Sequence, residues 1–126
     1  MKRLWIGIGV LMALLILGAT VSFFMAHSHK PISTNLALAA QAAVDGNLPN
    51  AIGYAEDAQA QWHRCRDFTA AFADHDVLEE MDALFAEIRI YAEAQDVTAF
   101  AAVCAHLSEL AKAVAESHHP KWQNLL

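Results

Sequence analysis

A charge-free apolar run near the N-terminus constrains this chain more than any other feature. Residues 4–26 read LWIGIGVLMALLILGATVSFFMA, and twelve of them are Leu, Ile, Val or Phe. As a helix that rises ~1.5 Å per residue, the run would be about 34 Å long, which is enough to cross a ~30 Å hydrocarbon core. The sequence therefore predicts a membrane-spanning anchor over residues 4–26.

A cleaved signal peptide is the alternative explanation of the same run. Signal peptides have an apolar core of ~7–15 residues that is followed by small residues at the cleavage site. The core here is longer, and the bulky Phe24 stands three positions before a cut after Ala26. A cut near Ala19 or Ser22 stays open, but we expect the anchor to be uncleaved.

Basic residues indicate the orientation of the anchor. Lys2 and Arg3 precede the run and only Lys30 closely follows it, so the positive-inside rule places the N-terminus in the cytoplasm. The domain beyond the anchor contains all 14 Asp and Glu residues, and this acidic balance argues against nucleic acid and against anionic lipid surfaces as partners. We expect a single-pass protein of the cell membrane with a cytoplasmic tip at residues 1–3, the anchor at 4–26, a polar connector at 27–32 and an extracytoplasmic domain at 33–126.

The region after the anchor is rich in Ala and in other helix formers, and it predicts an all-α fold. We expect helices over residues 33–44, 48–72, 76–94 and 98–117, with Pro31 interrupting any continuous helix from the anchor. Gly46 suits the left-handed residue that closes the first helix. Residues 43–52 resemble residues 94–103 at an offset of 51, which indicates two αα-hairpins in an up-and-down bundle of about four helices.

The stretch FADHDVLEE, residues 72–80, places one histidine among carboxylates. Asp76 and Glu79 have the spacing of a capping box, in which Asp76 would cap the third helix and Glu79 would reach back. His75, beside Asp74, has no such explanation. We expect it to make a hydrogen bond that fixes the turn between the second and third helices.

A metal site is the alternative for the same stretch. If the third helix began one turn earlier, His75, Glu79 and Asp82 would fall on one stripe at i, i+4 and i+7. An imidazole and two carboxylates at that spacing can bind a divalent cation such as zinc. The sequence has no second clear ligand, so we expect no metal and no cofactor.

Other chemistry-bearing residues have structural explanations. Cys65 and Cys104 would lie about 9 Å apart along the bundle axis, which favours free core thiols over a disulfide. Arg66 lies on the apolar side of the second helix, where it could pair with Asp82. We find no nucleophile–base pair or phosphate-binding loop, and we expect no enzymatic activity.

Several short motifs together resemble a known family. They are the Lys/Arg-tipped span, the helix with Trp62, the pair Asp74-His75 followed by VLEEMDAL, the helix restart AEAQDVTAF, and the chain end Asn124-Leu125-Leu126. This set resembles the DUF4363 family of short membrane-anchored proteins of Gram-positive, often spore-forming, bacteria. The resemblance implies the anchor and the helical fold, and it implies that Asp74-His75 belongs to the family's framework. This chain has Ala and His where the family would have Lys and Glu.

The family has no established activity, so the expected function comes from the architecture. We expect a non-enzymatic interaction, scaffold or accessory module that is held at the membrane by its N-terminal helix and that binds a protein partner. The alternative is a divalent-metal-binding or histidine-based sensor domain centred on His75, Glu79 and Asp82.

Overall fold

The computed structural model describes residues 1–71 and 73–117, and all the regular structure in those ranges is helical. The helices are α1 (Lys2–Val44), α2 (Leu48–Ala70), α3 (His75–Glu93) and α4 (Val97–Ser117). The predicted all-α bundle behind an N-terminal apolar helix is confirmed. Phe72, the predicted end of the second helix, and residues 118–126 of the predicted domain lie outside the described residues.

The expected break at Pro31 does not occur, because α1 runs through it without interruption. A proline inside a helix costs ~3 kcal/mol, since it has no N–H to donate and its ring crowds the preceding turn. Here the neighbouring residues His29, Ile32 and Leu36 are fully buried, so packing outweighs that cost. The polar connector predicted over residues 27–32 is therefore wrong as a structural element, and this segment belongs to α1.

The helices form a closed ring of neighbours. α1 packs most extensively against α4 and α2, α3 packs against α4, and the contact between α2 and α3 is the smallest of these four. Among the described residues, the largest fully buried side chains include Trp62 and Phe100.

Contacts along the ring show which end of the bundle adjoins the apolar segment. His29 of α1 meets Thr69 of α2, and Asn35 of α1 meets Gln61 of α2, so these helices are antiparallel. The turn between α2 and α3 thus lies at the end of the bundle near the apolar segment, whereas the other two turns lie at the far end.

The two far turns share one backbone design. Gly46 has a φ of 83° and Gln95 a φ of 55°, and each donates its N–H back to a carbonyl in the last turn of the helix that it closes. The next residues, Asn47 and Asp96, then accept a bond from the N–H three residues on, at 3.3 and 3.2 Å. This confirms Gly46 as the residue that closes the first bundle helix. The repeat is real in structure, but its offset is 49 residues and not 51.

The predicted capping box at the start of α3 is wrong. The helix begins at His75, its N-cap is Asp74, and no side chain makes a capping bond there. Asp76 lies inside the first turn, where a carboxylate favours the positive end of the helix dipole. The sequence misplaced the start because both Asp74 and Asp76 suit a helix N-terminus.

The apolar start of α1 projects beyond the bundle. Lys2–Val21 has a mean hydropathy of 2.4 and no buried residue, and its 20 residues would span about 30 Å. Val97–Ala115 of α4 also satisfies the length and hydropathy of a membrane span, but its Phe100, Cys104 and Leu107 are buried in the bundle core. By length and composition, the first segment is compatible with a membrane anchor or a signal sequence.

Candidate functional site

The three residues of the hypothetical metal site are not brought together. His75 Nε2 lies 3.6 Å from Glu79 Oε1, and both side chains are largely exposed. Asp82 instead turns toward α2. Among the residues the structure describes, no group of three or more His, Cys, Asp or Glu side chains could hold a metal ion.

His75 does not fix the turn between α2 and α3. Its contact with Glu79 stays within α3, and it is an ion pair only when the imidazole is protonated. The role that the sequence assigned to His75 is therefore not the one in the structure.

Asp82 is the centre of the polar contact that joins α2 to α3. Trp62 donates its indole N–H to Asp82 Oδ1 at 2.7 Å, while Arg66 Nε donates to Asp82 Oδ2 at 2.9 Å. A second guanidinium nitrogen of Arg66 lies 2.8 Å from the same oxygen. The expected pairing of Arg66 with Asp82 is thus observed.

The charges of this pair are mutually stabilised. Burial opposes ionisation of Asp82, but the hydrogen bonds from Arg66 and Trp62 and the charge of Arg66 outweigh that effect and lower the pKa of the carboxyl group. The hydrogen bond that Arg66 donates to Asp82, together with the charge of that carboxylate, raises the pKa of Arg66 in turn. Both side chains keep about a third of their surface exposed, and the lowered pKa of Asp82 keeps the pair ionised at neutral pH.

A buried histidine extends the polar network into α1. His29 is fully buried; its Nε2 lies 3.1 Å from Thr69 Oγ1, and its ring centroid lies 6.0 Å from that of Trp62. The Thr69 hydroxyl donates to the carbonyl of Cys65 at 2.8 Å, so the imidazole Nε2 is the donor to Thr69. Trp62 thus contacts both the histidine of α1 and the carboxylate of α3.

Sequence reasoning missed His29 because it treated residues 27–32 as a connector. His29 stands three and seven positions before Ile32 and Leu36, which is the spacing of one helix face. That pattern was visible in the sequence. It has meaning only if the helix continues through Pro31.

Both cysteines are free and buried. Burial raises the pKa of the Cys104 thiol to about 12, and it also raises the pKa of Cys65 against weaker opposing hydrogen bonds. A protonated, buried thiol is a poor nucleophile. The two residues act as small core side chains, as the sequence favoured.

A groove lies between α2 and α3, and we call it the far groove. It has a volume of about 490 Å³ and lies on the far side of the Trp62–Asp82 contact from the apolar segment. Phe85, Ile88 and Phe100 are among the residues that form its apolar floor. Its rim carries Glu56, Gln59, Arg89 and Glu93.

The rim of the far groove is acidic on balance. Its one arginine, Arg89, lies 3.9 Å from Glu93 of the same helix, and this leaves Glu56 across the groove as the excess charge. An apolar floor with a charged rim is the form that binds an amphipathic helix.

Comparison with known proteins identifies the family of this chain. A family model described as a domain of unknown function, DUF4363, matches residues 20–125. The match takes in the four helices of the bundle and leaves out most of the exposed apolar segment. No curated protein and no solved structure matches the chain. Because the family model covers well over half of the sequence, this chain belongs to the DUF4363 family.

Proposed function

We propose that this protein is a single-pass membrane protein that holds a non-enzymatic helical binding module outside the cytoplasm. The observation that carries the proposal is that no residue of Lys2–Val21 is buried. Exposed apolar surface costs roughly 25 cal/mol per Å² in water. A helix of this length and hydropathy with nothing packed on it is suited to lipid and not to water.

The basic residues at its tip support the orientation. Lys2 and Arg3 precede the segment, and an excess of positive charge favours the cytoplasmic side. A C-terminal alkaline phosphatase fusion tests this, because the enzyme is active only outside the cytoplasm. We expect this fusion to be active. A fluorescent protein fused at the same C-terminus should be dark, because export in the unfolded state prevents it from becoming fluorescent. An inactive phosphatase with a bright fluorescent fusion would refute the orientation.

Intact mass of the membrane-extracted protein tests whether the anchor is retained. We expect the mass of the full 13.8 kDa chain. A product that begins near Thr20 or His27 would show that the segment is a signal peptide, and the domain would then be released.

The far groove supports the binding role of the module. We propose that its occupant is an amphipathic helix with basic flanks from a partner protein, because the floor is apolar and the rim is acidic on balance. Such helices place apolar residues at i, i+3, i+4 and i+7. Basic side chains on either side would face Glu56 and Glu93.

Two charge reversals of equal size test the groove. A synthetic helix with Leu at those positions and Lys at its flanks serves as the probe, with a Glu-flanked helix as its control. Glu56→Lys should weaken binding of the Lys-flanked helix about two- to fivefold, as expected for one partly screened ion pair. Asp57→Lys changes the net charge equally on an exposed position that does not line the groove. Equal losses in the two variants would show general charge attraction and refute the docking site.

A further inference from the structure

A second groove, which we call the near groove, lies between α1 and α2 at the end of the bundle beside the apolar segment. It has a volume of about 320 Å³. Each helix contributes four residues at the spacing i, i+3, i+4 and i+7. They are Phe24, His27, Ser28 and Pro31 of α1, and Gln61, Arg64, Cys65 and Phe68 of α2.

The lining combines an apolar part with a cationic part. Phe24 and Phe68 meet edge to face, with ring centroids 4.7 Å apart. Arg64 and His27 contribute the basic groups, and Ser28 contributes a hydroxyl. The lining has no carboxylate, although the chain has 14 Asp and Glu residues against 8 Lys and Arg.

Arg64 is available to an anion. In the described part of the bundle, Arg66, Arg89 and Lys112 each pair with a carboxylate. Arg64 instead donates one bond, from Nε to the carbonyl of Ala60 in its own helix at 3.3 Å. The planar guanidinium keeps further N–H groups for the oxygens of a phosphate, which it can bind in a bidentate way.

The position of the near groove relative to the apolar run points to a lipid as the source of that phosphate. Phe24 lies within the charge-free run of residues 4–26, and His27 and Ser28 follow it directly. The antiparallel pairing of Asn35 with Gln61 puts Arg64 level with about residue 32 of α1, roughly 10 Å beyond the end of the run. Headgroups extend 5–7 Å beyond the hydrocarbon core, and an arginine side chain can reach back over the remaining distance.

We propose that the near groove binds the headgroup phosphate of an anionic phospholipid, with Arg64 as the main cationic contact and His27 and Ser28 as further donors. Phe24 and Phe68 would pack against the upper part of an acyl chain. This inference rests on the proposed membrane anchor. The acidic balance of the sequence argues against a general attraction to anionic lipid, but the near groove is a local exception because no carboxylate lines it.

Native mass spectrometry of the full chain, released from nanodiscs of phosphatidylcholine and phosphatidylglycerol, tests the site. The wild-type protein should retain phosphatidylglycerol. Arg64→Gln should lower the retained fraction about fivefold or more, as expected for loss of a charge-assisted contact. Arg89→Gln is the matched control, because it removes the same charge from an exposed position at the far end, and it should leave retention unchanged.

Two outcomes would overturn the lipid site. Equal retention by wild type and Arg64→Gln would show that the guanidinium does not bind the headgroup. Displacement of the lipid by millimolar glycerol 3-phosphate would show that the groove takes free phosphate esters and that no membrane source is required. Protection of the Cys104 thiol from alkylation confirms that each variant is folded, because this side chain is fully buried.

The same spectra separate this inference from the proposed function. Their intact mass shows whether residues 1–26 are present. A chain that lacks them refutes the anchor, whereas a chain that retains them and shows no dependence on Arg64 refutes only the lipid site.

Discussion

The hydrogen bond between Trp62 and Asp82 offers the sharpest test of what joins α2 to α3. Helices α2 and α3 share the smallest contact of the four neighbouring pairs, and this bond lies where they meet. Trp62→Phe removes the N–H donor and keeps an aromatic ring between His29 and Phe85, which the indole contacts at centroid distances of 6.0 and 6.5 Å. Asp82→Ala removes the acceptor.

The burial of Trp62 and Asp82 sets the size of the coupling that we expect between the two substitutions. A hydrogen bond to a charged group contributes ~1.5–3 kcal/mol, and a buried donor left without an acceptor costs ~1–3 kcal/mol. Trp62 is fully buried, whereas Asp82 keeps 37% of its side-chain surface exposed, so water can replace part of the lost bond on the carboxylate side. We therefore expect a coupling of about 1 kcal/mol between the two substitutions, at the low end of these ranges.

The double-mutant cycle isolates that coupling from the cavity that Phe leaves. Asp82→Ala orphans the indole N–H only when Trp62 is present, so the double variant should be less destabilised than the sum of the single variants. Pulsed alkylation of the full chain in nanodiscs during a urea titration provides the assay, since Cys65 and Cys104 are buried when folded. With an m-value of ~1 kcal/mol/M, the coupling corresponds to a shift of about 1 M urea in the midpoint of unfolding. Additivity within about 0.3–0.5 kcal/mol would refute the reasoning.

Two further predictions use the same measurement of unfolding, and a third uses circular dichroism. Gln95→Gly should raise the free energy of unfolding by about 1 kcal/mol, and Gly46→Ala should lower it by a similar amount, because both sites have positive φ. Changes of the same sign in the two variants would contradict the shared turn design. Pro31→Ala should stabilise the fold by about 1–3 kcal/mol, since it restores an N–H inside α1; an unchanged or lower midpoint would show that the proline fits α1 without cost. Because the pKa of Asp82 is lowered from its ordinary 3.8, the stability from its ionised form is complete above about pH 5 and is lost as the pH falls through the folded-state value. The difference in the free energy of unfolding between wild type and Asp82→Asn, followed by circular dichroism, should therefore shrink between pH 5 and pH 2. A constant difference would refute this prediction.

Helix content and helix ends were largely predictable from the sequence because they depend on local signals. The left-handed Gly46 and the acceptor Asn47 close one helix and begin the next within three residues. The far turn at Gln95 lacks a glycine, so the sequence alignment settled on the wrong offset by matching Asp45 to Asp96. In the structure Asp96 corresponds to Asn47, since both side chains cap the following helix.

The candidate sites were less predictable because they depend on which helices meet. The sequence favoured His75 for a structural role, yet His75 is exposed, while the histidine in the core is His29. The difference follows from Pro31, whose local cost suggested a break that packing on both sides overrides. Neither groove has a local sequence signal, since each needs two helices placed side by side.

The continuity of α1 ties the two proposed sites to opposite ends of the bundle. The charge-free run ends at residue 26, and His29 is the first buried residue of α1 among the side chains that the structure describes. The apolar segment and the bundle therefore share one helix with no linker between them. In the proposed orientation the near groove is held at the headgroups. The pairing of Asn35 with Gln61 places Glu56 level with about residue 40 of α1, so the far groove stands roughly 20 Å above the end of the run. A lipid can therefore reach only the first groove, and a partner helix at the second must come from the aqueous side or from a membrane protein that projects about as far.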